Sequence, residues 1–533
     1  MSRNRTGTVP VGLAGILLLL RLAFADRISG ATDSPGGTEI DSSFTGLQLA
    51  DDEKVVEGER LARLHCVSCH LFPEPELLDK KTWVSQTLRR MKIRLGLSPA
   101  EFERQREYKL LKATGAFPET PIMSLEEFNT IAAYYAAKAP TNALPQEPHP
   151  EIQVGLKHFQ RERAKYRRAP PTTTLVQISR SGRYIYMGDD YAKSLDILGA
   201  DGRFLGSVKV DNIPVALAET EKGIYLTCIG NFFPSEDPKG ELIFLERAEK
   251  GFKPGKVILR DLPRPTYTEF ADLNEDGKTD FVLSMFGNVL GGLSWFENKG
   301  EGQYQEHVVI AKAGAIRTVV QDFNGDKHLD IAVLITQELE CFYILLNDGH
   351  GDFSGNVIFQ RPPLYGHTYF EMADFNRDGL PDILVTNGDN GEYPSPLKKY
   401  HGIRIYLNKG NWKFEEAFFY PLNGAFKAVA RDFDEDGDLD IAAISYFPDY
   451  ADNPKESFVY LENLGGLHFA ASTFGDCISG RWLIMDVGDL DGDGDWDIVL
   501  GSYIRGPTDV PAFLSETWEK YGPSVKILTN TTR

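Results

Sequence analysis

Beyond residue 172 the chain is a succession of short apolar runs broken by turn clusters rich in Gly, Asn and Asp. Runs such as 281–283 (FVL) and 498–500 (IVL) are too short for helices and are bounded by turn residues, which predicts strands. A second set of runs, 293–298, 342–347, 403–408, 458–463 and 525–530, ends each time in Asn. A Gly-rich turn and an aromatic (Tyr304, Phe353, Phe414, Phe469) then open a further strand. Four strands in every 50–58 residues are the pattern of a propeller blade. Five such repeats begin near residues 266, 316, 367, 425 and 481, and 172–263 hold two more, with strands at 175–178, 183–187, 194–198, 224–227 and 241–245. The seventh repeat stops after Asn530 without a fourth strand. The segment 152–166 is expected to supply it, because Phe159 stands as far from Pro170 as Phe252 does from Pro263.

The first 142 residues follow a different pattern. Arg3 and Arg5 precede an apolar run over 9–24, and Ala23-Phe24-Ala25 has the small residues of a cleavage site. This predicts a secretory signal peptide at 1–25, hence a periplasmic or extracellular protein. An uncleaved anchor is the alternative, opposed by the short run and by Arg21. Residues 26–50, rich in Ser, Gly, Thr and Asp, read as a flexible tether. Residues 53–64 have amphipathic helical spacing, and Ser124 and Glu127 form a capping-box pattern ahead of a helix over 128–138. The expected architecture is a small all-α domain at 51–142, a linker at 143–171 with the closing strand, and an all-β seven-bladed propeller at 172–533. No later stretch is apolar enough to span a membrane.

Between the two helices lies Cys66-Val67-Ser68-Cys69-His70. Two thiols one helical turn apart suit thioether bonds to the two vinyl groups of haem, and the adjacent His70 can then ligate iron. A zinc half-site lacks a second Cys or His pair nearby, and a thioredoxin motif lacks a βαβ context. With its flanking helices and the aromatics Tyr134 and Tyr135, the region resembles a small class I cytochrome c. That resemblance implies one covalent haem c and a sixth iron ligand. Met91 and Met123 are the candidates. The stretch from Trp83 to Gly96 is similar to cytochrome domains fused to repeat-rich secreted bacterial proteins, which favours Met91.

Five nonamers punctuate the propeller, and their acidic positions recur in register. They supply Asp272, Asn274, Asp276 and Asp280; Asp322, Asn324, Asp326 and Asp330; Asp374, Asn376, Asp378 and Asp382; Asp432, Asp434, Asp436 and Asp440; and Asp489, Asp491, Asp493 and Asp497. Oxygen donors at positions one, three, five and nine, with Gly at six, describe a Ca²⁺ loop, so up to five Ca²⁺ are expected. No Glu stands at position twelve, which separates these loops from EF-hands. The second copy has Lys327 in place of Gly and is the weakest site. The loops resemble FG-GAP/VCBS repeats of integrin alpha subunits and many secreted bacterial proteins.

Charge changes the picture once it is located. The net charge is −20, which disfavours nucleic acid as a partner. Yet the nonamers hold 21 acidic and 3 basic residues, so the remaining 488 positions sum to only −2. The face opposite the Ca²⁺ loops should carry the long insertions between second and third strands, with Phe232, Phe233, Tyr393, Tyr446, Phe447 and Tyr503. Arg317, His367, Lys427 and Arg481 each precede a nonamer by five to eight positions. Together they are expected to ring the channel mouth as an anionic-ligand site. The sequence holds no P-loop, nucleophile elbow, H-E-x-x-H or Rossmann fingerprint. Cys228, Cys341 and Cys477 read as buried free thiols.

The resulting expectation is a haem c electron-transfer protein whose propeller binds an electron-transfer protein, a small molecule or a glycan, with haem-linked oxidation an open question. The alternatives are an adhesion or glycan-binding propeller with an accessory haem domain, and a propeller lyase or dehydratase.

Overall fold

A computed structural model describes residues 51–533 apart from 250, 393–394 and 507–509. The expected signal peptide, the tether and Tyr393 lie outside the described residues. Seven antiparallel sheets follow one another along the chain. Blade one runs from Thr173–Ile178 to Phe204–Lys209, blade two from Pro214–Glu219 to Lys256–Leu262, and blade three from Pro265–Ala271 to Gln303–Ile310. Blades four, five and six begin at Ala315–Gln321, His367–Ala373 and Ala425–Arg431, and blade seven at Trp482–Gly488. We call the strands of each blade A to D in chain order. Every second strand except the first two blades' opens on the last Asp of a nonamer.

Blade seven takes its outer strand from far upstream. Phe159–Arg163 pairs antiparallel with Val525–Asn530, with Phe159 opposite Asn530. Just before it, Gln153–Val154 adds a short parallel strand to the outer edge of blade six. The linker therefore ties both ends of the ring.

Alternation explains the packing. The B strands are buried along their whole length, as Asp280–Met285 and Asp382–Asn387 show. Each carries apolar side chains to both neighbouring blades, so that one apolar cluster fills each of the seven interfaces. Val176, Met187, Val499 and Ile527 close the ring between blades seven and one. At about 25 cal/mol per Å² of buried apolar area, such layers dominate the stability.

Asp52–His65 and Leu125–Lys138 form a helix pair that crosses where Gly58 meets Thr130 and Tyr134. A Cβ on Gly58 would stand 2.4 Å from the Thr130 carbonyl, so only Gly permits the approach. Ser124 Oγ accepts from Glu127 N at 3.1 Å and Glu127 Oε2 accepts from Ser124 N at 2.8 Å, the reciprocal cap that the spacing predicts. The Trp83 and Tyr135 rings pack tilted at 36° with centroids 4.3 Å apart, with Trp83 Nε1 donating to Pro75 O and Tyr135 Oη donating to Pro73 O. No described helix is long and apolar enough to cross a membrane.

The helices rest on the B–C loops of the propeller. Arg90 donates to Gly391 O at 3.2 Å, Tyr400 Oη donates to Leu77 O at 3.3 Å, and Ser235 Oγ donates to Glu107 at 2.6 Å.

Candidate functional site

The helix Asp52–His65 ends at the first cysteine of the motif, and Cys66–Ser68 continues as a single 3₁₀ turn. Cys66 is half-buried and Cys69 exposed, both as free thiols. Burial pushes the Cys66 thiol up to about 11. His70 Nδ1 lies 2.8 Å from Leu71 O, which fixes one ring nitrogen on the main chain. In and beside the motif Val67 and Leu71 expose apolar side chains. Met91 is half-buried on the helix Leu88–Arg94, and Met123 is buried just before the closing helix. Arg94, on the same helix as Met91, is buried below its ordinary pKa and feels Glu338 and Glu236 of the propeller as well as Cys69. The motif side of the helical domain thus lies within electrostatic reach of the B–C loops.

In the nonamers, position six takes a left-handed backbone in every copy, with φ of 81°, 84°, 98° and 95° at Gly277, Gly379, Gly437 and Gly494, and 79° at Lys327. That bend points the position-six N–H at the first carboxylate: Gly277, Lys327 and Gly379 donate to Asp272, Asp322 and Asp374 at 2.9 Å, and Gly437 to Asp432 at 3.0 Å. Carboxylate oxygens of positions one, three and five converge within 4.8 Å in the fourth loop (Asp432, Asp434, Asp436) and the fifth (Asp489, Asp491, Asp493). The other three loops carry Asn274, Asn324 and Asn376 at position three. Asn324 and Asn376 donate to Asp326 and Asp378, and the second of these contacts spans 2.9 Å.

Position nine is the buried member of each expected ligand set. Asp280, Asp330, Asp382, Asp440 and Asp497 have no exposed surface. In each, one oxygen accepts from the N–H of position two and the other from the Asn that ends strand C. Burial raises all five carboxylates, Asp497 to about 6 and Asp440 to about 7. Position nine therefore clasps loop to blade. The recurring Asn was visible in the sequence, but its role as partner of position nine was not.

The four basic residues divide into two pairs. A β-bulge follows the first residue of every A strand, and Arg317 and Lys427 both stand at the third residue, beyond the bulge. Arg317 Cζ lies 4.6 Å from the Tyr369 ring and 4.9 Å from Tyr267, and Lys427 Nζ lies 4.8 Å from Tyr369. Tyr267 and Tyr369 occupy the same third position in blades three and five. Among the described residues neither cation has an ion pair, and Arg317 Nε is buried without a hydrogen-bond partner. Burial pushes Lys427 down to about 8, with Asp486 opposing and Arg317 adding to the shift.

His367 and Arg481 lie elsewhere. His367 opens its strand and is 2% exposed, with Nδ1 2.5 Å from Glu340 Oε2. Arg481 precedes its strand, is 1% exposed, stacks 3.8 Å from the Tyr446 ring and donates to Tyr446 O. Both are packed into blade interfaces, so the expected ring of four is a pair of cations with two tyrosines. Of the loop aromatics, Phe232 reaches from blade two to Tyr503 of blade seven, 4.4 Å away. Cys228, Cys341 and Cys477 are buried and free.

Residues 272–333 and 322–385 match the model of the FG-GAP-like repeat family. No curated protein matches the chain. Among solved structures, Sqt1 of Saccharomyces cerevisiae is 8% identical with a TM-score of 0.42 over 70% of this chain and 99% of that one. BBS1N in complex with ARL6DN is 9% identical with a TM-score of 0.41 over 69% and 97%. The calcium-binding protein regucalcin of Agrobacterium tumefaciens is 11% identical with a TM-score of 0.35 over 56% and 92%. All three scores lie below 0.5, and nothing about this chain follows from them. The seven sheets and the matched repeats make this chain a seven-bladed β-propeller built with FG-GAP-like repeats.

Proposed function

We propose that the chain is an exported c-type cytochrome fused to a Ca²⁺-stabilised propeller, and that it transfers electrons to or from a ligand or partner held by the propeller. The observation that carries the reading is the geometry at the end of the helix Asp52–His65. Two free thiols and an imidazole follow one another there, and the contact of His70 Nδ1 with Leu71 O leaves Nε2 as the nitrogen that would ligate a metal. The donor set fits haem c: Cys66 and Cys69 would form the thioethers, and His70 with Met91, or else Met123, would ligate the iron. When bound, the haem supplies one-electron redox chemistry at an iron whose potential a Met ligand raises. The chain's own residues do the rest. Leu71 and Val67 would give the haem an apolar surface, and Trp83 and Tyr135 hold the loop after the motif by their bonds to Pro75 and Pro73.

Arg317 and Lys427, framed by Tyr267 and Tyr369, are the propeller's ligand site in this reading, and a small anion is the ligand class they suit. Spectroelectrochemistry of the full chain, expressed with a haem-attachment system, tests the redox role. A reversible one-electron couple is expected, with the Met–iron charge-transfer band lost in Met91→Ala and kept in Met123→Ala. A chain without a reversible couple contradicts the proposal, and loss of the band only in Met123→Ala moves the ligand.

A further inference from the structure

His158 stands immediately before the strand that closes blade seven. Its Nδ1 lies 3.4 Å from Thr532 Oγ1, while its Nε2 is buried and has no hydrogen-bond partner. Side-chain donor atoms of His158, Asp434 and Glu462 lie within 4.8 Å of one another. Asp434 belongs to the fourth nonamer and Glu462 to the third strand of blade six, so three distant segments meet at this point. A second buried atom without a partner, Asp432 Oδ1, lies two residues from Asp434 in the same loop.

The chemistry of the set points away from Ca²⁺. Ca²⁺ takes hard oxygen donors, whereas a neutral imidazole nitrogen with two carboxylates suits a first-row ion of the zinc class. An imidazole whose other nitrogen is engaged by a neighbour is also how metal-bound histidines are oriented. A cation already borders the set: Lys157 Nζ lies 3.7 Å from Glu462 Oε1. The Lys157 side chain is 70% exposed, so it can swing into water when an ion takes its place.

We propose that His158, Asp434 and Glu462 form a site for a divalent first-row transition ion that clasps the upstream closing strand to blade six. The site stands apart from the haem and from the channel cations, and it draws one carboxylate from a loop otherwise read as a Ca²⁺ site. Its occupant joins residue 158 to residues 434 and 462, so it stabilises the ring by cross-linking a long loop of chain.

Titration of the full chain with Zn²⁺ in saturating Ca²⁺, followed by calorimetry, tests this. The wild type is expected to take one Zn²⁺ more than His158→Ala, because any Zn²⁺ held by Cys66 and Cys69 is common to both. Glu462→Gln provides a second variant should His158→Ala misfold, and it should lose the same equivalent. Co²⁺ in place of Zn²⁺ should give visible ligand-field bands that vanish with His158. Equal Zn²⁺ uptake by wild type and both variants, or Co²⁺ bands unchanged in His158→Ala, would overturn the proposal.

Discussion

Asp330 holds Asn347 by the main chain: the Asn347 N–H donates to Asp330 Oδ1 at 2.9 Å, while Phe323 N–H donates to Oδ2 at 3.0 Å. The same side chain of Asn347 then returns Nδ2 to Leu329 O at 3.0 Å and to Leu273 O at 2.8 Å in the preceding blade. One Asp–Asn pair thus joins loop, strand C and neighbouring blade.

Because both oxygens of Asp330 accept from main-chain N–H groups, its loss should cost stability even without metal. Hydrogen bonds to a buried charge contribute about 1.5–3 kcal/mol each, so Asp330→Ala should cost on the order of 3 kcal/mol or more. Thermal unfolding with and without a chelator checks this. A loss that disappears on chelation would mean that Asp330 acts through Ca²⁺ instead.

Lys327 occupies a left-handed conformation where the other loops use Gly. An L residue in that region is disfavoured by about 1–2 kcal/mol. Lys327→Gly should therefore stabilise the protein by about 1 kcal/mol and leave the fold unchanged, seen as a higher denaturation midpoint.

Ca²⁺ should fill the fourth and fifth loops most tightly, since only there do three carboxylates converge. Calorimetry should resolve two tight sites, and Asp491→Asn should remove one of them while sparing the other.

Asp196 sits with no exposed surface. Burial alone would raise it, but hydrogen bonds from Arg168, Ser207 and Tyr166 hold its carboxylate below the usual range. A depressed folded-state value means stability that is present above the unfolded carboxylate value of about 3.9 and is lost as pH falls through the folded value. The stability gap between wild type and Asp196→Asn should therefore be full near neutrality and shrink below about pH 4.

Lys427 follows the opposite logic. Its amine faces Tyr369, Arg317, Asp486, Glu371 and Arg431, and burial brings it to about 8. As pH rises through 8 the ammonium is lost, so affinity for a small anion should fall. Stability moves the other way: it rises between about 8 and the unfolded lysine value of about 10.4, as the folded chain sheds a buried charge first. Lys427→Met should flatten both trends.

Much of this was legible in the residues. The five nonamers, their spacing and the aromatic at or near the start of the D strands that follow them define the blades, because short apolar runs and tight turns leave local marks. Residues 159–163 were reachable by comparing Phe159–Pro170 with Phe252–Pro263. The clasp made by the position-nine carboxylates was harder, because its N–H donors come from residues that only the fold brings together. The ring of basic residues was mis-registered for a physical reason. A bulge after the first residue of each A strand shifts the side chains that follow, so Arg317 and Lys427, five before the nonamer, face Tyr369, whereas His367 and Arg481, seven and eight before it, do not. In the five nonamer blades the fifth position before the first Asp carries Tyr267, Arg317, Tyr369, Lys427 and Ile484, so the two tyrosines share the register of the two cations. His158 left no sequence signal, since its partners lie hundreds of residues away.

The central claim, that Cys66 and Cys69 carry haem, is tested most directly by the mass of the purified full chain after export in a host with a haem-attachment system. The account predicts a chain heavier by one haem, with the colour retained through denaturation and acid–organic extraction, and neither property in the Cys66→Ala, Cys69→Ala double variant. A wild-type chain of unmodified mass, or colour that extracts with solvent, would contradict it.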